Sequence, residues 1–383
     1  MINLYNVYTL FDIEPVRAKG VFVYDIDDTE YLDFYGGHAV ISIGHSHPYF
    51  VSRIQDQVGE MVFYSNSVKN SLQQFFCSEL EKASGLHKYD LFFCNSGAEA
   101  NENALKLASF HNKRTKILSL RNGFHGRTSA AVNVTDNRKI TAPINKGFDV
   151  KFHDIENMGR LYEDVKSEKY CAVIIEAIQG IGGIHEVPDK CLKKIKHICN
   201  VTDTILIMDE IQCGYGRTGD FFAYQKSGIR PDIITIAKGM GNGFPIGGVL
   251  INSVKIPAWK GMLGSTFGGN QLACAAGAAV LEVIQQEKLI TNAQHMGDIL
   301  KSQLDSIIEI KEIRGRGLML GIDFGSPISD LRKDLLYTNK IFTGSSTDKN
   351  VMRLLPPLCI NEEHISRFIK GLKQSIQNIE IKN

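Results

Sequence analysis

Midway along the chain two apolar runs, Thr204–Met208 and Asp232–Ala237, each give way to an ionisable residue, Asp209 after the first and Lys238 after the second. Runs this short and this apolar suit strands buried on both faces, as in a parallel sheet covered by helices. Polar groups in such a sheet gather at the carboxyl ends of the strands, where ligands bind. The two residues stand 29 positions apart, about right for a strand–helix–strand crossover. An α/β fold that delivers an acid and a lysine to one rim follows.

The same alternation runs through the rest of the chain. Tyr89–Cys94 reads as a strand leading into Asn95-Ser-Gly-Ala-Glu, where Ser96 is a helix cap and Glu99 completes a capping box. Gly97 lets the backbone come close to a bound group, so free N–H groups of the first turn can face an anion. Lys116–Leu120 is a strand before the glycine-bounded loop Asn122–Thr128, and Cys171–Glu176 is an apolar strand that ends in an acid. Helices are expected over Pro48–Met61, Ser71–Ser84, Lys190–Asn200, Gln271–Gln286, Ala293–Ile308 and Ile365–Ile376. Val21–Tyr24 and Tyr31–Phe34 flank a turn and suggest a hairpin. His45 and His47 have no third ligand nearby, so turn and helix-cap hydrogen bonds suit them better than a metal.

Composition removes several function classes. Hydrophobic residues make up 43% and charged residues 22%, ordinary for a globular chain. A net charge of +1 offers no field to recruit nucleic acid or an anionic membrane. No apolar run is long enough to span a bilayer, and the start lacks a secretory signal pattern. None of the eight cysteines forms C-x-x-C, which fits reduced core thiols in a cytoplasmic enzyme. At 383 residues, two lobes are the expectation.

An acid and a lysine on one rim suit a cofactor with a basic ring nitrogen and an aldehyde, and pyridoxal 5'-phosphate (PLP) has both. PLP performs the difficult chemistry, and the protein binds, orients and tunes it. Lys238, followed by Gly239-Met-Gly-Asn-Gly, would join the aldehyde. Asp209 would keep the ring nitrogen protonated, Ser96–Ala98 would hold the phosphate, and Phe124 would stack on the ring. Each residue also has an ordinary role open to it, as cap, solvated strand end or core. Four suitable residues at four strand exits are hard to obtain by chance.

NSGAEANENALKLA, GFHGRT, IIEAIQGIGG, IMDEIQCGYGRTG, AKGMGNGFPIGG, GSTFGGN and RGRGLMLGI stand in the order seen in class III PLP-dependent aminotransferases. Over nearly its whole length the chain resembles their acetylornithine/ornithine branch. The resemblance implies PLP fold type I: a large domain with a mostly parallel seven-stranded sheet, plus a smaller α/β domain formed by both chain ends. Residues 1–45 would be an N-terminal segment belonging to the smaller domain, 46–252 the large PLP-binding domain, and 253–383 a connecting helix followed by the C-terminal small domain. It also implies a homodimer with shared active sites. Lys238 and Asp209 would be catalytic, with Ser96, Gly97, Ala98, Phe124 and Gln212 also on the cofactor. Thr266 of the partner subunit would reach the phosphate. No metal is implied.

Substrate residues come from the same resemblance. Arg127 and Arg353 would each hold a carboxylate, as the planar guanidinium does best, and Ser265 and His38 would also face the substrate. The implied activity moves the δ-amino group of N-acetylornithine to 2-oxoglutarate, a step of arginine biosynthesis. N-succinylornithine, ornithine and 4-aminobutyrate are the alternative donors, with an aminomutase and a non-catalytic binding protein behind them. Two positions depart from the family. Ile181 stands where many relatives carry a glutamate that masks the second arginine, and His38 where ornithine δ-aminotransferases carry a tyrosine. The second departure favours an N-acylated donor.

Overall fold

The computed structural model describes residues 2–167 and 169–380. Its centre is a seven-stranded sheet of Asp90–Cys94 (β1), Lys116–Leu120 (β2), Val150–His153 (β3), Tyr170–Ile175 (β4), Ile205–Asp209 (β5), Ile233–Ile236 (β6) and Gly247–Ile251 (β7). The spatial order is β1-β7-β6-β5-β4-β2-β3. Strands β3, β2, β4, β5 and β6 pair in parallel, and β7 runs antiparallel to both of its neighbours. Strands β4, β5, β6 and β7 are buried along their whole length, which is why they read as unbroken apolar runs.

The two chain ends meet in a second sheet. Pro15–Lys19, Phe22–Asp25 and Glu30–Asp33 form an antiparallel meander, and the C-terminal strand Ile341–Phe342 adds in parallel, Ile341 opposite Leu32. Glu312–Arg316, Met319–Asp323, Val351–Leu354 and Gly344–Ser345 make a third sheet. The alanine-rich helix Gln271–Gln286 packs on the helices Pro48–Glu60 and Ser71–Ser84. Its small residues allow this close approach: a Cβ on Gly277 would meet the Phe76 ring at 2.6 Å. Among the described residues no helix is long and apolar enough to cross a membrane.

Two expectations need correction. The helix expected over Ala293–Ile308 spans Leu289–Leu304. Its buried face begins at Leu289, directly after Lys288 turns the chain with φ 53°. The histidines of His45-x-His47 do not cap the helix that starts at Pro48. His45 Nε2 pairs with Asp33 at 2.8 Å, inside the N-terminal segment, and His47 Nε2 with Glu287 at 2.9 Å, at the far end of the alanine-rich helix.

Arg217, from the GYGRTG motif, is the main polar tie between these layers. Only 2% exposed, it donates to Ile41 O at 3.2 Å, to Leu318 O at 3.2 Å and to Pro356 O. Burial without a carboxylate contact pushes its pKa down to about 10. Arg217→Met should keep the bulk and strand three carbonyls. Relief from burying a charge offsets part of that cost, leaving a loss of about 2–3 kcal/mol. A urea midpoint equal to that of the parent protein would contradict this role.

Candidate active site

Strands β1, β2, β4, β5 and β6 all point their carboxyl ends at one rim, and the loops leaving them enclose a cavity of about 580 Å³. That size suits a small molecule or cofactor. After β6 the backbone turns sharply. Lys238 takes φ 47° and opens a single 3₁₀ turn, Lys238–Met240, which places its side chain among the cavity residues. The glycine at 241 is required, because a Cβ there would lie 2.2 Å from Phe244 O. Asn242 anchors the loop: its Oδ1 accepts from Ser42 N at 2.9 Å and Ile43 N at 3.1 Å, and its Nδ2 donates to Gly44 O at 2.9 Å. Burial lowers the pKa of Lys238, with Asp209 and Glu176 opposing and Arg353 adding to the fall.

Asp209, at the end of β5, is 3% exposed and accepts three hydrogen bonds, one short of a carboxylate's capacity. Its Oδ2 accepts from His125 Nδ1 at 2.7 Å and Asn101 Nδ2 at 2.8 Å, and its Oδ1 from Ile211 N at 3.1 Å. Burial opposes a charge on His125, but the Asp209 bond and the Asp209 and Glu176 carboxylates outweigh it and raise the pKa. Glu176, just past β4, accepts from Phe124 N at 3.0 Å and Gly180 N at 2.8 Å, so one carboxylate ties two rim loops together. Burial raises its pKa, as does Asp209.

After β1 the helix Gly97–Asn112 begins at the cavity wall. Ser96 Oγ caps it by accepting from Glu99 N at 3.2 Å. The second arm of the expected capping box goes elsewhere: Glu99 Oε2 accepts from Asn95 N and Asn95 Nδ2, each at 3.0 Å. Gly97 has a further reason besides the one expected. A Cβ there would meet Ile211 at 2.9 Å, so the glycine admits a packed side chain. The N–H groups of Gly97 and Ala98 still open the helix toward the cavity, where an anion is favoured.

Ten of the twelve expected site residues line this one cavity: His38, Ser96, Gly97, Ala98, Phe124, Arg127, Asp209, Gln212, Lys238 and Arg353. Arg127 is exposed at the mouth. Arg353 is 2% exposed, and burial pushes its pKa down to about 10. Desolvation, then Arg353 and Lys238, lower the pKa of the His38 imidazole. Ser265 and Thr266 are not among the lining residues. Ser265 Oγ accepts from Gly268 N at 2.9 Å and Asn95 Nδ2 at 3.3 Å, while Thr266 lies exposed. Asn95 itself lines the cavity, so Ser265 stands one residue behind its wall.

Sequence reasoning passed over His125, Asn101 and the loop-tying role of Glu176. An acid ending the apolar run Cys171–Glu176 was the available signal, since it matches the pattern at Asp209. The set of groups fits PLP: an amine, a buried carboxylate held by three donors, a helix N-terminus and a half-buried aromatic ring, all on one cavity. Among the described residues no group of three or more His, Cys, Asp or Glu could hold a metal ion.

Comparison with known proteins gives the family and the fold. The model of the family described as "Aminotransferase class-III" matches residues 5–376. The chain is 39% identical to the acetylornithine aminotransferase of Bacillus subtilis (strain 168), over 98% of each chain. Among solved structures, the ornithine aminotransferase of Toxoplasma gondii ME49 superposes with a TM-score of 0.90 at 30% identity, covering 99% of this chain and 94% of that one. The acetylornithine aminotransferase of Elizabethkingia anophelis gives 0.85 at 30% identity, with 98% and 96% covered.

Proposed function

We propose that this chain, which belongs to the class-III aminotransferase family, moves the δ-amino group of N-acetylornithine to 2-oxoglutarate, giving N-acetylglutamate 5-semialdehyde and glutamate. It is a PLP-dependent aminotransferase acting on small molecules. When bound, PLP supplies the aldehyde that captures the amine and the ring that draws electrons from the reacting carbon. All other steps fall to the chain. Asp209 would hold the proton on the ring nitrogen. Lys238 would take a proton from the δ-carbon and return it on the far side of the transfer, as general base and then acid. Its lowered pKa keeps more of the amine in the basic form. Ser96, Gly97 and Ala98 would bind the phosphate and Phe124 would cover the ring face.

One observation carries the choice of substrates: the cavity holds two arginines, exposed Arg127 and buried Arg353, beside the lysine. Two guanidinium groups suit the two carboxylates of 2-oxoglutarate and glutamate. Arg127 would hold the single carboxylate of N-acetylornithine, leaving its remote amine for Lys238. A neutral His38 beside Val40, Ile181 and Phe244 favours an uncharged acyl group over a free ammonium. The names of the curated relatives support the same donor and, with it, a place in arginine biosynthesis.

The reading includes a cytoplasmic homodimer. Met61, Val62, Phe63, Tyr64, Val68 and Phe267 are exposed, and the Phe63 and Phe267 rings pack 5.3 Å apart beside Thr266. Covering this apolar surface with a second copy would carry Thr266 to the phosphate, and Ser265 to the substrate, of the neighbouring site. Sedimentation should give twice the 42.6 kDa chain mass, and a fully active monomer would overturn the shared site.

Initial rates with acetyl-, succinyl- and unmodified ornithine and with 4-aminobutyrate, each with 2-oxoglutarate, test the donor. N-acetylornithine should exceed free ornithine in kcat/KM by at least about tenfold, the scale of one mismatched polar group. Preference for free ornithine or 4-aminobutyrate would refute the proposed donor and leave the aminotransferase intact.

A further inference from the structure

Gly36, Gly37, His38 and Ala39 all lie in the left-handed region, with φ of 56°, 53°, 67° and 62°. Ala39 N donates to Tyr35 O at 3.1 Å and Val40 N to Gly36 O at 2.8 Å, closing one turn of left-handed helix. L-residues disfavour this hand, and two of the four are not glycine. Strain that persists beside a functional cavity calls for a reason. The turn aims the His38 carbonyl at Gln212, whose Nε2 donates to it at 3.0 Å. Gln212 Oε1 in turn accepts from Arg353 Nη1 at 3.1 Å, and Arg353 Nε donates to Ser345 O at 2.6 Å. Two neutral acceptors thus fix the guanidinium plane. Its remaining donors include both on Nη2 and one on Nη1, an edge suited to a bidentate carboxylate. Gly180 completes the arrangement, since a Cβ there would lie 1.8 Å from Gln212 Oε1.

We propose that Gln212 is a positioning residue for Arg353: the left-handed turn fixes the amide through the His38 carbonyl, and the amide fixes the guanidinium for one carboxylate of a dicarboxylate substrate. The inference rests on the reading of Arg353 given above, and it assigns Gln212 a task separate from any contact with the cofactor. It also gives the strained Gly36–Ala39 turn a purpose.

Gly180→Ala is the cleanest probe. Gly180 does not have a left-handed φ, and the added methyl displaces the amide without changing charge or touching Arg353 or Lys238. Glutarate, a dicarboxylate with no group to transfer, is titrated into the holoenzyme by calorimetry. The parent protein should bind it, Arg353→Lys should lose most of that affinity, and Gly180→Ala and Gln212→Leu should each weaken it about tenfold, the scale of one lost hydrogen bond. In Gly180→Ala the KM for 2-oxoglutarate should rise about tenfold while that for N-acetylornithine, whose carboxylate Arg127 would hold, rises less than about twofold, a split that general loosening of the fold would not produce. Glutarate affinity unchanged in both Gly180→Ala and Gln212→Leu overturns the proposal while Arg353 keeps its role. Affinity unchanged in Arg353→Lys overturns that role, and this inference with it.

Discussion

Lys238→Ala is expected to lower turnover by at least about 10⁴-fold while the chain still folds. General acid–base transfer alone accounts for about 10²–10⁴ in rate, and the same substitution also removes the amine that joins the cofactor. The lysine sits in the cavity among Asp209, Glu176 and Arg353, so no other amine is placed to replace it. Alanine at φ 47° keeps the strain that lysine already carries, and the loop stays pinned by Asn242 to Ser42, Ile43 and Gly44. Two measurements check this. The far-ultraviolet circular dichroism spectrum should match the parent, and borohydride treatment of the PLP-loaded protein should fix no cofactor on the chain. A variant with full activity would remove the lysine from the mechanism.

Asp209→Asn should cost about 10³-fold in kcat, the upper scale for removing one preorganised electrostatic group. Asparagine keeps the shape, yet its amide cannot accept from His125 and Asn101 on one side and from Ile211 N on the other. One buried donor is left unpaired, at about 1–3 kcal/mol. The charge change is also visible on His125. Its raised pKa means that its contribution to stability is fully present below the ordinary histidine pKa of about 6.5 and is lost as pH rises through the higher folded value. In Asp209→Asn that decline should shrink or vanish, and the imidazole resonances should titrate at lower pH. An unchanged His125 titration would show that Asp209 does not set the charge there.

Asp209 and Lys238 were legible because an ionisable residue stands out at the end of a buried apolar strand, and two such ends fell one crossover apart. β5 and β6 begin or end within a residue or two of the apolar runs that announced them. Ser96 was legible for a similar local reason, since a cap must lie next to its helix. Arg353, Gln212 and His38 were not, because their relation is made by folding: positions 141 and 174 residues apart in sequence meet through one amide. The left-handed turn at Gly36–Ala39 left no periodic trace beyond a pair of glycines. His125 carried no local signal either, since a buried histidine and a surface one look alike until Asp209 stands 2.7 Å away. Ser265 and Thr266 lie off the cavity lining of the single chain, and the role proposed for them rests on a second copy.

A half-reaction tests the central claim most directly. Holoenzyme mixed with N-acetylornithine and no 2-oxoglutarate should release one equivalent of semialdehyde per chain as the cofactor's absorbance changes from its aldehyde form to its amine form. Adding 2-oxoglutarate should then restore the first spectrum with one equivalent of glutamate. A cofactor spectrum that stays unchanged on mixing with the amino donor would contradict the account of this cavity.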